Sequence, residues 1–455
     1  MNENDSELMM GLLCKRGFEA TQEPAEADLI VINTCQIRET ATDRAFGHVH
    51  HYIRLKKENP NLRIAVTGCM AQQAKDDIFK RAPFVDIVIG TQNIKDLPDL
   101  VEMVFDTDEL SSSQVISKQL MAVDRQKDVN TYSYFDEVLP VRKSSVTAWV
   151  SIIEGCDYFC TYCVVPYTRG RQISRDPESI LKEIKTLEAQ GYKDVTLLGQ
   201  TVDSYGKDFK DRSYGLADLL RDIHEQAPSL PRIRFMTSHP LDLSDDIIEA
   251  VATLPRVMEY IHIPMQSGDN EVLERMRRGY TREQYFELID KIRARIPNVA
   301  ISGDFIVAFP GETQEQFEQT LDAVDRVHFD TVNTAIYSPR KQTPAAIWTD
   351  RGEGEIEREE AKERLEILMQ RLRSAGLTNN QPLLGTEVEL LIEAESRKKS
   401  LNRWMGRTRN NKVMNVDMRE EDGNLIGRFV MAEITAVGPY ALQGKVTRVL
   451  EGPLA

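Results

Sequence analysis

The chain has no run of 18 or more apolar residues among its 455, so a membrane-spanning helix is not expected. It has no basic-then-apolar leader either: MNENDSELMM is polar and acidic, unlike a secretory signal. Cysteine is scarce. Six in so long a chain exclude a secreted disulfide scaffold, and three of the six are clustered as reduced metal ligands would be, so a reducing cytoplasm is the expected setting. Positive charge is in deficit, 57 Lys and Arg against 72 Asp and Glu, and the net charge of −15 argues against a general binder of polyanions. A local basic surface is still allowed, because salt confines charge effects to about 10 Å. Low-complexity tracts are absent, and a hydrophobic fraction of 41% over this length suits a soluble protein of two to four domains.

The most informative stretch is GCDYFCTYCVVP at 155–166, directly after the strand-like run from Val146 to Ile153. Cys156, Cys160 and Cys163 have three and then two residues between them, a spacing at which thiolates converge from one loop on a single iron–sulfur cluster. Three ligands for four irons leave one iron open to chelate a substrate, and the amino and carboxylate groups of S-adenosylmethionine suit that position. A structural zinc site needs four closed ligands, and no fourth Cys or His lies nearby. A redox CxxC formed by Cys160 and Cys163 accounts for two of the thiols and not for the third.

Along the chain, residues 1–107 alternate helix and strand signals. Helical spacing over Ser6–Arg16 and Glu39–Glu58 is interleaved with the strands DLIVIN (28–33, expected to be buried), RIAVT (63–67) and DIVIG (86–90), predicting a doubly wound parallel sheet. Cys35 and Cys69 fall just past strand ends, where ligands of such sheets gather. Cys14 sits beside Leu12 and Leu13 on a helix face, as a buried core cysteine would. Residues 108–141 are polar and aperiodic, a linker. From 142 to 376, six strand-like runs (VTAWVSI, DVTLLG, RIRFM, EYIHI, VAISGDFIVAF, DTVNTAIY) predict a partial (β/α) barrel of six units open on one side. Chemistry in such barrels sits at the carboxyl ends of strands, which here carry Gly199-Gln200, Ser238-His239-Pro240, Pro264 to Ser267 and Pro310-Gly311-Glu312. A charged helix is expected to end near Gly376. Short alternating runs over 377–450 then predict a small antiparallel β-barrel of the kind that carries single-stranded nucleic acid. The run RKKSLNRWMGRTRNNK (397–412) holds seven Lys or Arg, no acid, and Trp404; basic residues interleaved with an aromatic pair phosphates and stack bases, whereas a lone basic run is more often a solvated loop.

These motifs, taken with MNENDSE, NTC (33–35), GCMAQ (68–72), LLGQ (197–200), TSHP (237–240), HIPMQSGDNEVLERMRRGYT (262–281), FPGET (309–313), YSPR (337–340) and GRTRNNKV (406–413), resemble the radical SAM methylthiotransferases, of the MiaB type, along nearly the whole chain. The resemblance implies an N-terminal methylthiotransferase domain, a radical SAM barrel and a C-terminal TRAM barrel. It implies a methylthio group added to carbon 2 of isopentenyladenosine beside the anticodon of tRNA. Carbon 2 of adenine is an unactivated C–H position, which calls for a radical from a cofactor rather than for an acid–base pair. The resemblance assigns the radical SAM 4Fe-4S cluster to Cys156, Cys160 and Cys163, and a second, auxiliary 4Fe-4S cluster to three cysteines of which two match Cys35 and Cys69. Tyr162, Gln200, Ser238 and His239 become candidates for holding S-adenosylmethionine, with core packing the competing role for Tyr162 and a structural role for His239. Arg403, Trp404, Arg407 and Arg409 become candidates for tRNA. A flavodoxin- or ferredoxin-like reductant, a sulfur donor and a monomeric state complete the expectation.

One ligand departs from the pattern. In the family the third auxiliary cysteine stands in GCQMN after a central first strand; this sequence begins at the Met of that motif. A start placed too far downstream is the leading account, ahead of a true truncation and of rescue by Cys14. Loss of the central strand would expose two neighbouring strands. The sister enzyme acting on threonylcarbamoyladenosine is the alternative within the class, less favoured by PYTRG and GRTRNNKV. A ribosomal-protein methylthiotransferase fits QSGDNEVL worse. A tRNA-binding protein without catalysis would have no use for an intact CxxxCxxC.

Overall fold

The computed structural model describes the chain apart from 35–45, 48, 107–118, 124–137, 139, 212, 397–401, 419–422 and 455. It divides into two compact units: Met1–Lys143 with Glu154–Cys156 and Val165–Arg175, and Ser144–Ile153 with Asp157–Val164 and Asp176–Ala455.

The first unit is built on four parallel strands in the order β1 (Leu29–Thr34), β2 (Arg63–Gly68), β3 (Ile87–Ile89) and β4 (Leu120–Ala122). β4 lies inside the stretch expected to be linker; most of that stretch, and the beginning of the expected helix at 39–58, lie outside the described residues. β1 and β2 pair over their full length, from Leu29↔Arg63 to Thr34↔Gly68. The sheet therefore has no vacant position between them, contrary to the expectation of two exposed neighbours. β2 is buried throughout, but β1 is an edge strand with only Thr34 buried, so the expectation of a buried strand there is corrected. The first helix runs Asn2–Lys15, starting four residues before Ser6. Its Leu8, Met9, Leu12 and Leu13 pack with Ile87, Ile89, Leu97 and Val101. Its polar start is buried too, because Asp5 meets Arg169 and Glu7 meets Arg142, partners that helical periodicity cannot reveal. β6 (Ile153–Glu154) and β7 (Ile173–Ser174) make a separate two-stranded ribbon.

The second unit contains all six expected barrel strands: β5 (Thr147–Ser151), β8 (Asp194–Leu198) and β9 (Arg232–Phe235) in one parallel sheet, β10 (Tyr260–His262), β11 (Ala300–Val307) and β12 (Thr331–Ile336) in another. An isolated bridge, Ile233↔Val257, and the bond from Ser238 N–H to His262 O (3.0 Å) carry the row of strands from one sheet to the other. Alternate residues face opposite ways. Ala148, Val150, Val195, Leu197, Ile233 and Phe235 join the large core beneath the helices. Polar side chains stand among the alternate residues: Arg234 bonds Asp194 (2.8 Å), and in the second sheet Ser302 bonds both Tyr260 (2.7 Å) and His262 (2.8 Å).

The long helix Arg358–Asn380 runs past Gly376 instead of ending there. That glycine is needed for space, since a Cβ would lie 2.5 Å from Pro439 O. β13 (Glu387–Glu395), β14 (Arg403–Thr408), β15 (Val413–Asp417), β16 (Phe429–Val437) and β17 (Ala441–Val449) then close a barrel in the order β13-β14-β15-β17-β16. It is not wholly antiparallel, because β15 and β17, brought side by side by the long β16 crossover, pair in parallel.

Candidate metal and cofactor site

The cysteine loop is held at several points. Cys156 N–H donates to Gly170 O (3.2 Å), and Cys163 N–H to Cys160 O (3.0 Å). Thr161 anchors the second half, its N–H on Met276 O (3.1 Å) and its hydroxyl on Arg275 O (2.8 Å). Cys160 is buried, and Cys156 and Cys163 are half-buried. Among the described residues no three Cys, His, Asp or Glu side chains converge as a ready-made set of metal ligands. The donor chemistry nonetheless fits a cluster: three cysteine sulfurs on one short stretch of chain, the buried one beside a guanidinium. Arg278 Nη1 lies 3.3 Å from Cys160 Sγ and 3.5 Å from the Tyr162 hydroxyl. Arg278 belongs to RRGY, a stretch that counted toward the resemblance without receiving a role. Tyr162 packs against Val272, Met276 and Phe309, and burial pushes its hydroxyl well above the ordinary phenol range.

At the carboxyl ends of adjacent strands, three polar atoms are buried without a partner: Gln200 Oε1 after β8, Ser238 Oγ and His239 Nε2 after β9. Leaving such atoms unmet costs about 1–3 kcal/mol each, so a site of this kind calls for a polar ligand. His239 stacks on Tyr158 with ring centroids 3.7 Å apart, and Asp203 accepts its backbone N–H (2.8 Å). Burial, with Arg278 and Lys207 in support, pushes its pKa down to about 2, so the ring is neutral. Its Nδ1 accepts the Leu241 N–H (3.3 Å), which places the proton on Nε2 as a donor waiting for an acceptor. These are the three strand-end residues named from the sequence.

In the first unit Cys69 opens the helix Cys69–Ala74 straight after β2 and is half-buried. Cys35 lies outside the described residues, but its predecessor Thr34 is the register partner of Gly68, the predecessor of Cys69. Cys14 is half-exposed, not a core residue. It also stands at the wrong end of its helix. Asn33 bonds Asn2 O (2.8 Å), so the start of the helix meets the end of β1, and Cys14 lies twelve residues on, roughly 18 Å along the axis. Close by, Arg169 bridges Asp5 (2.6 Å) and Glu154 (3.0 Å), all three buried. Burial pushes the Glu154 carboxyl up to about 7, against the pull of Arg169 and with the help of Asp5.

The basic run is arranged differently from the sequence expectation. Trp404 is buried in the barrel core with Leu390, Met414 and Val416, out of reach of a stacking base, because strand alternation turns it inward. Arg407 pairs with Glu393 (3.4 Å) and bonds Asn411 (3.2 Å). Arg409 holds Glu259 with two bonds (2.6 and 3.2 Å) and Pro255 O with another (2.8 Å). The turn between β14 and β15 thereby covers the amino ends of the parallel strands: Arg232 donates to Arg407 O (2.7 Å), Arg234 to Thr408 O (3.0 Å) and Arg409 O (2.7 Å), and Lys412 pairs with Asp330. Arg403 is the most peripheral of the four, paired only with Asp417 (2.7 Å), itself exposed, and with Gln443 (3.1 Å).

Residues 150–324 match the radical SAM superfamily, residues 1–90 the uncharacterized protein family UPF0004, and residues 382–447 the TRAM domain. The chain is 42% identical to a tRNA-2-methylthio-N(6)-dimethylallyladenosine synthase of Oceanobacillus iheyensis over 98% of its own length and 82% of the relative. It is 42% identical to one of Thermoanaerobacter pseudethanolicus over 99% and 91%, and 43% identical to one of Geobacillus kaustophilus over 98% and 80%. Among solved structures it is similar in fold to the radical S-adenosylmethionine methyltransferase TsrM from Kitasatospora setae, with a TM-score of 0.55 at 16% identity, covering 77% of this chain and 72% of that one. A likeness to OxsB, a cobalamin-dependent S-adenosylmethionine radical enzyme, has a TM-score of 0.51 at 16% identity and covers 76% and 52%.

Proposed function

The chain belongs to the family of tRNA-2-methylthio-N(6)-dimethylallyladenosine synthases, and from that premise we propose that it adds a methylthio group to carbon 2 of isopentenyladenosine beside the anticodon of tRNA. Membership of the radical SAM superfamily implies S-adenosylmethionine and a 4Fe-4S cluster. The cluster falls to Cys156, Cys160 and Cys163. When bound, it supplies the electron for reductive cleavage of S-adenosylmethionine, and with it the radical chemistry that an unactivated C–H position demands. Gln200 Oε1 accepts from the cofactor's ammonium or hydroxyl groups, His239 Nε2–H donates to an oxygen, and Ser238 does either. The three unpartnered buried atoms at the strand ends are the observation that carries this assignment. Tyr162 closes the floor of the site. Cys35 and Cys69 are assigned to a second 4Fe-4S cluster concerned with sulfur.

The tRNA is assigned to the TRAM barrel, on the face around Arg403, with Arg407 and Arg409 holding the barrel itself. A flavodoxin- or ferredoxin-like reductant, a separate sulfur donor, a monomeric state and a cytoplasmic setting belong to the same reading. The test is anaerobic reconstitution with iron and sulfide, then incubation with S-adenosylmethionine, a reductant and tRNA bearing isopentenyladenosine. Mass spectrometry of the digested tRNA should show the methylthio product, and tRNA bearing threonylcarbamoyladenosine should stay unmodified. Cleavage of S-adenosylmethionine with neither tRNA modified would refute the substrate assignment.

A further inference from the structure

Arg278 is a buried cation with no carboxylate paired to it among the described residues; against burial, it helps hold down the carboxyl of partly buried Asp304 without bonding it. The turn after the helix Asn270–Arg275 passes through Arg277 (φ 57°) and Gly279 (φ 75°), both left-handed, and turns the intervening side chain inward until it is 5% exposed. All its hydrogen-bond partners are neutral: Nε donates to the Tyr280 hydroxyl (3.0 Å), Nη2 to Pro264 O (3.1 Å), and Nη1 to Cys160 Sγ (3.3 Å) and the Tyr162 hydroxyl (3.5 Å). Three other buried arginines of the second unit are paired with carboxylates, Arg232 with Glu389, Arg234 with Asp194 and Arg364 with Glu312. No carboxylate among the described residues pairs with Arg278. A buried charge with no directly paired counter-ion is costly, and the partner that can become anionic is the Cys160 sulfur, so the fold calls for negative charge there.

We propose that Arg278 is the counter-charge of the cluster held by Cys156, Cys160 and Cys163, and that it raises the reduction potential of that cluster. The proposal rests on the assignment of those cysteines as ligands. Three thiolates around a core of charge +2 sum to −1, and one added electron makes −2. A cation hydrogen-bonded to one of the sulfurs attracts the reduced form more strongly, and little solvent is present to screen it. Arg278 is thus a positioning and tuning residue, not a group that touches the reacting atoms. Its planar fork grips Pro264 O at the end of β10 with one nitrogen and the sulfur with another, which fixes the charge in place.

The experiment uses the full-length Cys35→Ala/Cys69→Ala protein, so that only the cluster of the 156–163 loop is observed. Iron content, visible absorbance and the midpoint of an anaerobic redox titration followed by EPR are compared for Arg278, Arg278→Lys and Arg278→Gln. Arg278→Gln should lower the reduced-to-oxidised ratio at a fixed potential about tenfold, equivalent to about 59 mV for one electron, and Arg278→Lys should recover most of it. A Gln protein with a full cluster and an unchanged midpoint overturns the proposal. If the Gln protein cannot hold its cluster, the Lys protein decides: restored occupancy supports the counter-charge, and a Lys protein that is folded and equally empty overturns it. Failure of the Arg278 protein itself to take up a cluster would instead refute the assignment of the cysteine ligands.

Discussion

Two buried arginines, one in each unit, stand in opposite electrostatic settings. Arg169 bridges two carboxylates, Asp5 and Glu154, so its surroundings carry more negative than positive charge. Arg278 has none, only hydroxyls, a carbonyl and the Cys160 sulfur. The difference separates a structural ion network from a site waiting for an anion. In the first, an extra acid must give up its charge, and burial does hold the Glu154 proton up to about 7. In the second, no carboxylate among the described residues pairs with the charge.

The sharpest way to break the comparison is Arg169→Ala, which strands the buried Asp5 carboxylate and removes the hydrogen-bond donor of Glu154. A loss of about 3–5 kcal/mol is expected, read as lost hydrogen-exchange protection of the helix Asn2–Lys15. Protection within about 1 kcal/mol of the native value would mean that the network contributes little.

Glu154→Gln tests the surplus acid. Between about pH 4.5 and about pH 7 the folded protein keeps a proton on Glu154 that the unfolded chain has released, so stability falls as pH rises across that window. The fall should be on the order of 3 kcal/mol, and thermal unfolding of the Gln variant at several pH values should show a flatter profile. An unchanged slope would place the acid in a wetter setting.

Gln200→Ala, Ser238→Ala and His239→Ala sharpen the contrast at the ligand-seeking site. Gln200→Ala and Ser238→Ala each remove a polar atom with no partner, so stability should change little or rise. His239→Ala also loses the stack on Tyr158 and the acceptor of the Leu241 N–H, and should destabilise. In all three, S-adenosylmethionine binding by calorimetry should weaken about tenfold, roughly 1.4 kcal/mol. Unaltered affinity in all three would move the cofactor elsewhere. The smallest effects are expected on the barrel. Arg403→Ala should flatten the log–log salt dependence of tRNA binding by about one unit, and Arg409→Ala should leave the slope alone while loosening the hold on Glu259. The opposite pattern would return Arg409 to the tRNA surface.

Much of the site was legible because its parts are local in sequence. The loop Cys156–Cys163 is one turn of chain, and Gln200, Ser238 and His239 follow directly on strands whose apolar runs are plain. The inward turn of Trp404 and the pairing of Arg409 with Glu259 were not legible, for a physical reason. A basic run shows charge, but which residues of a strand face inward depends on the barrel around them, and which acids answer the rest depends on loops 150 residues away. Gly376 looked like a helix end because glycine often is one, whereas here it makes room for Pro439 O.

The sequence by itself determined the kinds of layer and their order: the alternating β and α signals of the first unit, the six barrel strands, the closing β-barrel and the thiols that follow strand ends. Periodicity and spacing are properties of neighbouring residues, so they survive without coordinates. Only the tertiary structure decided where the buried charges are balanced. It brought Asp5 to Arg169, left Arg278 facing a sulfur with no acid at hand, and turned GRTR into a clasp on the parallel strands. Coulombic and desolvation energies depend on distance and burial across the fold, and neither is encoded in any one stretch of the chain.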